Sequence, residues 1–338
     1  MLNHYNMFEN LKIALIGEGS WATAIVKILQ QNIKNIIWVI RDADMALQIK
    51  ETGHNPLYIS DIEINTNIVT LVQTVKEAIS QANVILVVLP AAFIESSMEG
   101  ITEDDFKNKF IFSATKGMIP SCHKTVCSFF NENFNVPFNQ LGFISGPSHA
   151  EEVALERLTF LTILSSNIEM AAKMGEMFNC RYIRTIISDD IIGAEYVTSL
   201  KNVMAIAAGV SHGLGYGDNY LSVLVSNAIR EIQSFLNIIF PAERDLLKYV
   251  YLGDLLVTCY SQFSRNRNLG TMIGKGYTVK SAQLEMNMIA EGYYTAKSIM
   301  EICREKNIEM PITQAMYRIL YERYSPSVEM KLLTDKLK

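Results

Sequence analysis

Five short segments place polar or cationic side chains where packing alone would not ask for them. Lys201-Asn202 falls in the middle of residues 193–210, a stretch otherwise rich in Ala, Val, Ile and Met. A lysine desolvated in such a helix has a depressed pKa, more so if a second cation such as Lys116 lies nearby. That is what a general acid–base lysine needs, and Asp254, in Gly253-Asp254, is a candidate to orient it. The plainer account is a lysine snorkelling its stem over apolar surface. Ser264-Arg265-Asn266-Arg267 is a dense donor cluster suited to a phosphate, because a guanidinium offers bidentate, charge-assisted hydrogen bonds. A solvated interhelical loop would carry the same residues. Thr115-Lys116-Gly117 and Ser145-Gly146-Pro147-Ser148 each follow an apolar run, where doubly wound sheets bind ligands. Ser148 is placed to cap a helix that starts at Ala150-Glu151-Glu152.

A second kind of chemistry is written near the start. Gly17-Glu18-Gly19-Ser20-Trp21-Ala22 matches G-x-G-x-x-A directly after an apolar run and at the head of a helical pattern. The small residues allow a tight turn, close backbone approach to a pyrophosphate and close helix-on-strand packing. The helix N-terminus adds free N–H groups for the phosphates. An ordinary glycine turn is the alternative; the βαβ context favours a dinucleotide site. Glu18 is awkward there, since a carboxylate repels a pyrophosphate unless it points away. The next run ends Arg41-Asp42. An acid at that point holds the ribose 2′-hydroxyl of NAD, whereas an arginine takes the 2′-phosphate of NADP. Both cofactors stay open, with Arg41 inclining the choice toward NADPH; two solvated loop charges would look the same.

The elements that must position these groups differ between the two halves. Apolar runs at 11–16, 36–40, 68–71, 84–89, 110–113, 142–145 and 159–165 alternate with helix-length segments at 21–31, 43–51, 74–81 and 121–131. Runs apolar throughout are what strands covered on both faces show. The alternation predicts an α/β, Rossmann-like domain with a doubly wound, mostly parallel sheet. From about 189 the pattern is helical almost throughout, at 192–210, 220–236, 242–260, 279–288, 291–305 and 312–324. We therefore expect a dinucleotide-binding domain over 1–188 and an all-α substrate and catalytic domain over 189–338.

At about 150 residues per domain, 338 residues suit two domains. With 49% hydrophobic and 19% charged residues, a disordered or fibrous chain is excluded. The low charge implies extensive burial, in a large core or in a subunit interface, and a homodimer is the expected assembly. Thirty basic against 35 acidic residues leave a net charge of −5, with no basic block for nucleic acid. Any anion must be met locally. No apolar run approaches the ~20 residues needed to span a bilayer, and the first ten residues lack the pattern of a secretory leader. Five cysteines without a CxxC pair read as reduced thiols of a cytoplasmic protein. Cys122, His123 and Cys127 lack metal-site spacing, so no metal is expected.

Taken together, the strings resemble the bacterial NAD(P)-dependent glycerol-3-phosphate dehydrogenase family over nearly the whole chain, from about 12 to 334. They are Gly-x-Gly-Ser-x-x-Thr-Ala (17–24), Ala-Thr-Lys-Gly (114–117), Ser-Gly-Pro-Ser-x-Ala-x-Glu (145–152) and Lys-Asn-Val-x-Ala-Ile-x-x-Gly (201–209). Gly-Asp-Leu-x-x-Thr-Cys (253–259), Ser-Arg-Asn-Arg (264–267), Ala-Glu-Gly (290–292) and Met-Pro-Ile (310–312) complete the set. The resemblance implies reversible reduction of dihydroxyacetone phosphate to sn-glycerol 3-phosphate, a phospholipid precursor. It implies Lys201 as proton donor and acceptor at the C2 oxygen, and Lys116 as a contact to both cofactor and substrate. Gly146, Ser148, Asp254, Ser264, Arg265 and Asn266 match substrate positions. Gly17, Gly19, Ser20, Trp21, Arg41, Ala150, Arg265 and Glu291 match cofactor positions.

Two departures stand out: Glu18 replaces a usual small residue, and His149 stands where Phe is common. In the implied mechanism a hydride reaches the ketone carbon while cationic Lys201 stabilises the developing oxyanion and supplies the proton. The remote phosphate contributes binding energy that positions the ketone. Two competing readings share the plan. A β-hydroxyacid dehydrogenase would take an unphosphorylated substrate, against which the 264–267 cluster argues. A dinucleotide sensor without turnover would not need Lys201 and Asp254.

Overall fold

The computed structural model describes residues 11–286 and 289–338. The first ten residues, on which the expectation of no leader rests, and Met288, the expected end of the 279–288 helix, lie outside them. The described chain divides into two compact units. The first takes the described residues up to Leu89, with Phe93–Thr115 and Val126–Ile191; the second takes Pro90–Ala92, Lys116–Thr125 and the described part of Ile192–Lys338.

The first unit is a sheet flanked by helices. Its strands are β1 (Ile13–Ile16), β2 (Ile36–Val39), β3 (Val69–Val72), β4 (Val84–Val87), β5 (Phe110–Ser113), β6 (Leu141–Ser145), β7 (Thr159–Leu164) and β8 (Ile183–Ser188). They run in the order β3-β2-β1-β4-β5-β6-β7-β8. β1 pairs parallel with β2 and β4, Ile13 lying opposite Ile36 and Val84. Parallel pairing continues to β6, and only β6 against β7 is antiparallel. The Rossmann-like, mostly parallel expectation is met. β1, β2 and β4 are apolar and buried at every position, as strands covered on both faces must be. β8 was not expected. It is an edge strand with Arg184 exposed, so it presents no apolar run.

The helices of this unit are α1 (Ser20–Leu29), α2 (Ala43–Thr52), α3 (Val75–Gln81), α4 (Ile94–Ser97), α5 (Val126–Phe134), α6 (Ala150–Ala154) and α7 (Ile168–Phe178). The helix expected over 121–131 starts only at Val126. Upstream, His123 takes a left-handed φ of 57° beside an Ile119–Lys124 bridge. Seven of the ten residues of α1 are buried, because Ala22 and Ala24 let the helix approach closely.

The second unit is helical: α8 (Ile191–Gly213), α9 (Asp218–Ile239), α10 (Asp254–Tyr260), α11 (Arg265–Gly274), α12 (Val279–Glu285), α13 (Glu291–Lys306), α14 (Pro311–Tyr321) and α15 (Pro326–Thr334). The helix expected over 242–260 is broken. Asp245 accepts from the Leu247 N–H at 3.0 Å, a local bond that competes with helix formation. A π-helical turn, Tyr249–Gly253, then leads into α10.

α8 and α11 cross at a point built from glycine. A Cβ at Gly209 would meet the Arg267 carbonyl oxygen at 2.0 Å, and one at Gly270 would meet the Ile206 oxygen at 2.1 Å. Gly213 and Gly274 repeat the arrangement one turn on, where a Cβ on either would lie 2.4 Å from a carbonyl oxygen of the facing helix. No side chain larger than hydrogen fits this backbone separation. On the far side, buried Glu231 of α9 accepts from Ile312 N, Thr313 N and Thr313 Oγ1 at 2.8–2.9 Å. Those bonds satisfy free donors in the first turn of α14. Among the described residues no helix is long and apolar enough to cross a membrane, and all five cysteines are free.

Candidate active site

The chemistry of the second unit gathers around Lys201, near the middle of α8. The helix is buried around it, and Lys201 and Asp254 are 2% and 1% exposed. Lys201 Nζ donates to Asp254 Oδ1, and Lys116 Nζ lies 3.8 Å from Asp254 Oδ2. One carboxylate is thus shared by two ammonium groups. Burial pushes the Lys201 pKa down to about 7; the nearby charge of Asp254 opposes that shift and Lys116 adds to it. Asp254 is at the first position of α10, directly after the π turn, which brings the carboxylate to the lysines.

Lys116 follows β5 in the chain but packs within the second unit. Its carbonyl accepts from Asn202 Nδ2 at 2.6 Å, so the residue beside Lys201 anchors the backbone of the second lysine. Asn202 reaches a third element as well. A Cβ at Gly292 would meet the Asn202 oxygen at 2.5 Å, so α13 begins hard against α8.

At the N-terminus of α11, Ser264 accepts from the Arg267 N–H. Asn266 Oδ1 accepts from Gly292 N at 2.9 Å, tying α11 to the start of α13, while Arg265 stays exposed. The segment is therefore a capped helix end fixed by the glycine crossing, which corrects the loop alternative. Glu291, first residue of α13, accepts from Ala91 N at 2.9 Å through Oε1. Its Oε2 is buried with no partner, and a Cβ at Gly117 would strike it at 2.5 Å. Burial raises its pKa to about 7, against the pull of the Arg265 charge.

In the first unit Gly17 follows β1 with φ 138°, and a Cβ there would meet the Val88 oxygen at 2.4 Å. That is the point where the strand order reverses between β1 and β4, where open α/β sheets bind ligands. The Trp38 indole N–H donates to the Gly17 oxygen at 2.7 Å, fixing the turn. Gly19 is the N-cap of α1 and makes no side-chain cap hydrogen bond, and helix N-termini of this kind suit anions. Asn55, buried and not expected, donates to the Glu18 oxygen and to Thr23 Oγ1, at 3.2 and 2.9 Å. Its signal was the Asn55-Pro56 pair after the second helical pattern. Gly146, with φ 134°, lies within 2.6 Å of the Phe160 oxygen by the same measure. Ser148 does not cap α6: its hydroxyl donates to the Gly146 oxygen at 3.0 Å and the cap residue is His149. Ala150 begins α6, which packs on α1.

A doubly wound sheet with a bare glycine turn, joined in one chain to a helical unit around a buried lysine–carboxylate pair, defines a two-unit nicotinamide-dependent oxidoreductase. The chain belongs to the NAD-dependent glycerol-3-phosphate dehydrogenase family: the family's N-terminal model matches residues 12–171 and its C-terminal model residues 190–331. It is 33% identical over 331 residues to the glycerol-3-phosphate dehydrogenase [NAD(P)+] of Limosilactobacillus reuteri, covering 96% of this chain and 97% of that one. The enzyme of that name from Staphylococcus carnosus is 31% identical over 326 residues, covering 96% and 98%. Among solved structures, glycerol-3-phosphate dehydrogenase from Coxiella burnetii superposes with a TM-score of 0.89 at 27% identity, covering 96% and 98%.

Two observations fit a dinucleotide. The glycine turn packs directly on the Val88 backbone at Gly17 while a Cβ at Gly19 would meet no atom within 4 Å, which leaves open space at the head of α1, and Glu291 Oε2 is a buried acceptor without a hydrogen-bond partner.

Proposed function

We propose that the chain catalyses the reversible, NAD(P)H-dependent reduction of dihydroxyacetone phosphate to sn-glycerol 3-phosphate, with 1–188 as the dinucleotide-binding domain and 189–338 as the helical substrate domain. The observation that carries this reading is the buried Lys201–Asp254 pair with Lys116 as a second cation. A buried ion pair is costly to desolvate and a weak source of stability, so its presence in an apolar bundle points to chemistry.

A bound nicotinamide supplies the hydride to the ketone carbon. Lys201, as the ammonium, stabilises the charge that develops on the C2 oxygen and delivers its proton there. Asp254 aims the ammonium, and burial lowers the lysine's pKa so that it gives up a proton near neutrality. Lys116 contacts both cofactor and substrate, its backbone steadied by Asn202. Ser264, Arg265 and Asn266, with Gly146 and Ser148, take the substrate and its phosphate, whose binding energy positions the ketone. Gly17, Gly19, Ser20, Trp21 and Arg41, together with Ala150, Arg265 and Glu291, take the dinucleotide. A homodimer in the cytoplasm, supplying the glycerol phosphate of phospholipids, completes the reading.

The test is oxidation of reduced nicotinamide by the purified full-length chain. Turnover with dihydroxyacetone phosphate, and far less with dihydroxyacetone or 2-keto acids, is expected. Turnover confined to an unphosphorylated hydroxy acid or its keto form would replace the reading with a β-hydroxyacid dehydrogenase. Cofactor binding without turnover on any of these substrates would make the chain a sensor.

A further inference from the structure

The residue that departs from the glycine-turn pattern is placed to choose the cofactor. Glu18 does not face forward from the turn. Its carboxylate reaches the end of β2, where Oε2 accepts from the Arg41 backbone N–H at 3.1 Å and Oε1 from Arg41 Nη2 at 3.1 Å. The main-chain bond fixes the carboxylate independently of where the arginine side chain swings. The other acid there, Asp42, spends Oδ1 on the N-terminus of α2, accepting from Asp44 N and Met45 N at 2.9 and 3.0 Å. Asn55 holds the Glu18 backbone from behind. Glu18 is thus the carboxylate paired with the Arg41 guanidinium, and with Asp42 and Asp44 following Arg41 in the chain the formal charges of these four residues sum to about −2.

A 2′-phosphate arriving at the end of β2 would meet an arginine that is already paired and a fixed carboxylate at its side. A 2′-hydroxyl would meet an acceptor. Resting on the reading that this turn holds a nicotinamide dinucleotide, we infer that Glu18 makes the chain select NADH over NADPH, by accepting from the ribose 2′-hydroxyl and by neutralising Arg41. Arg41 alone inclines the choice the other way, so the pairing reverses the expectation drawn from sequence. The side chain of Glu18 is 21% exposed and that of Arg41 54%. The discrimination is therefore partly screened, and salt weakens it over a Debye length of about 8 Å at physiological ionic strength.

The test is titration of the full chain with NADH and with NADPH, followed by nicotinamide fluorescence and by the shift in Tm, without substrate. The wild type is expected to bind NADH about tenfold more tightly than NADPH, a difference of about 1.4 kcal/mol. Glu18→Ala should close that gap by tightening NADPH and loosening NADH. Glu18→Gln, which keeps the size and an acceptor but loses the charge, should close it mainly from the NADPH side. Arg41→Ala should weaken NADPH more strongly in the Glu18→Ala background than in the wild type, because the released guanidinium is then free for the phosphate. Equal affinities in the wild type, or a ratio untouched by either Glu18 variant, overturn the inference while leaving the dehydrogenase reading intact. A chain that binds neither cofactor overturns both.

Discussion

Glu18–Arg41 in the first unit and Lys201–Asp254 in the second each join a cation to a carboxylate, the second with Lys116 as a further cation 3.8 Å from that carboxylate. The first is solvated, with side chains 21% and 54% exposed; the second is enclosed, at 3% and 2%. Exposed pairs contribute about 0–1 kcal/mol, since water screens them and ordering two long side chains offsets the attraction. Their use is in what they do to an arriving charge. The buried pair lives where desolvation perturbs the titration of the lysine itself. Under the proposed function, the same two charges serve as a reader of ligands at the surface and as a proton source in the interior.

The comparison breaks most sharply at Lys201. Lys201→Ala should lower kcat by about 10²–10⁴, the usual worth of a positioned acid–base group, while leaving NADH affinity within about twofold. Retained turnover within tenfold would sink the assignment. The pH profile sharpens the same point. Under the proposed function, the ammonium is the acid for reduction and the amine is the base for oxidation. With the pKa pushed down to about 7, kcat/KM for reduction should fall as pH rises through that value, and oxidation should rise. A reduction profile flat from about pH 6 to about pH 9, spanning the lowered pKa, would mean that the lysine does not titrate.

Most of the sheet and the polar strings around both pairs were legible in the sequence. Uninterrupted aliphatic strands announce themselves, and Lys116, Lys201 and Asp254 stood out as charges in apolar surroundings. Four things were not legible. β8 lies at an edge and carries no apolar run. Asp245 and the π turn break a stretch whose periodicity reads as one helix. The tight crossing of α8 and α11 belongs to two helices at once, so neither half reveals it; the hint was a four-residue spacing, Gly209–Gly213 and Gly270–Gly274. The side-chain directions of Glu18 and Asn55 likewise depend on loops brought back from β2 and its helix.

Arg265 stands between the two extremes: exposed like Arg41, but fixed on a helix whose position is set by buried glycine contacts. Losing a hydrogen bond to a charged group costs about 1.5–3 kcal/mol. Arg265→Ala should therefore lower kcat/KM for dihydroxyacetone phosphate about ten- to hundredfold. Lysine should rescue in part, having no bidentate fork. The loss should be much smaller with unphosphorylated dihydroxyacetone. An equal loss on both would mean that Arg265 serves the cofactor or the fold. The crossing itself can be probed next. Gly270→Ala puts a methyl group 2.1 Å from the Ile206 oxygen, and the helices must part. Overpacking of this kind costs about 1–3 kcal/mol, read as a fall in Tm. A neutral Tm would show the crossing to be yielding, and Lys201 and the α11 N-terminus to be held by other contacts.

The smallest effect is the one that separates the two pairs most clearly. Arg41→Ala removes the guanidinium from Glu18 but leaves the bond from the Arg41 backbone N–H to Glu18 Oε2, because that donor is main chain. The carboxylate loses its partner where water can replace it, so no buried charge is stranded. Tm should change by no more than about 2 °C, within the small range expected of an exposed pair. Lys201→Ala instead leaves Asp254, 1% exposed, with Lys116 at 3.8 Å as the remaining cation. Stranding a buried charge costs about 3–5 kcal/mol when nothing compensates; the second lysine should hold the loss below that while keeping it well above the Arg41 value. Measuring the two melting temperatures side by side decides whether burial sets the difference. If Arg41→Ala destabilises as much as Lys201→Ala, the surface pair is a structural clasp for the glycine turn, and its place as a reader of the 2′ position must be given up.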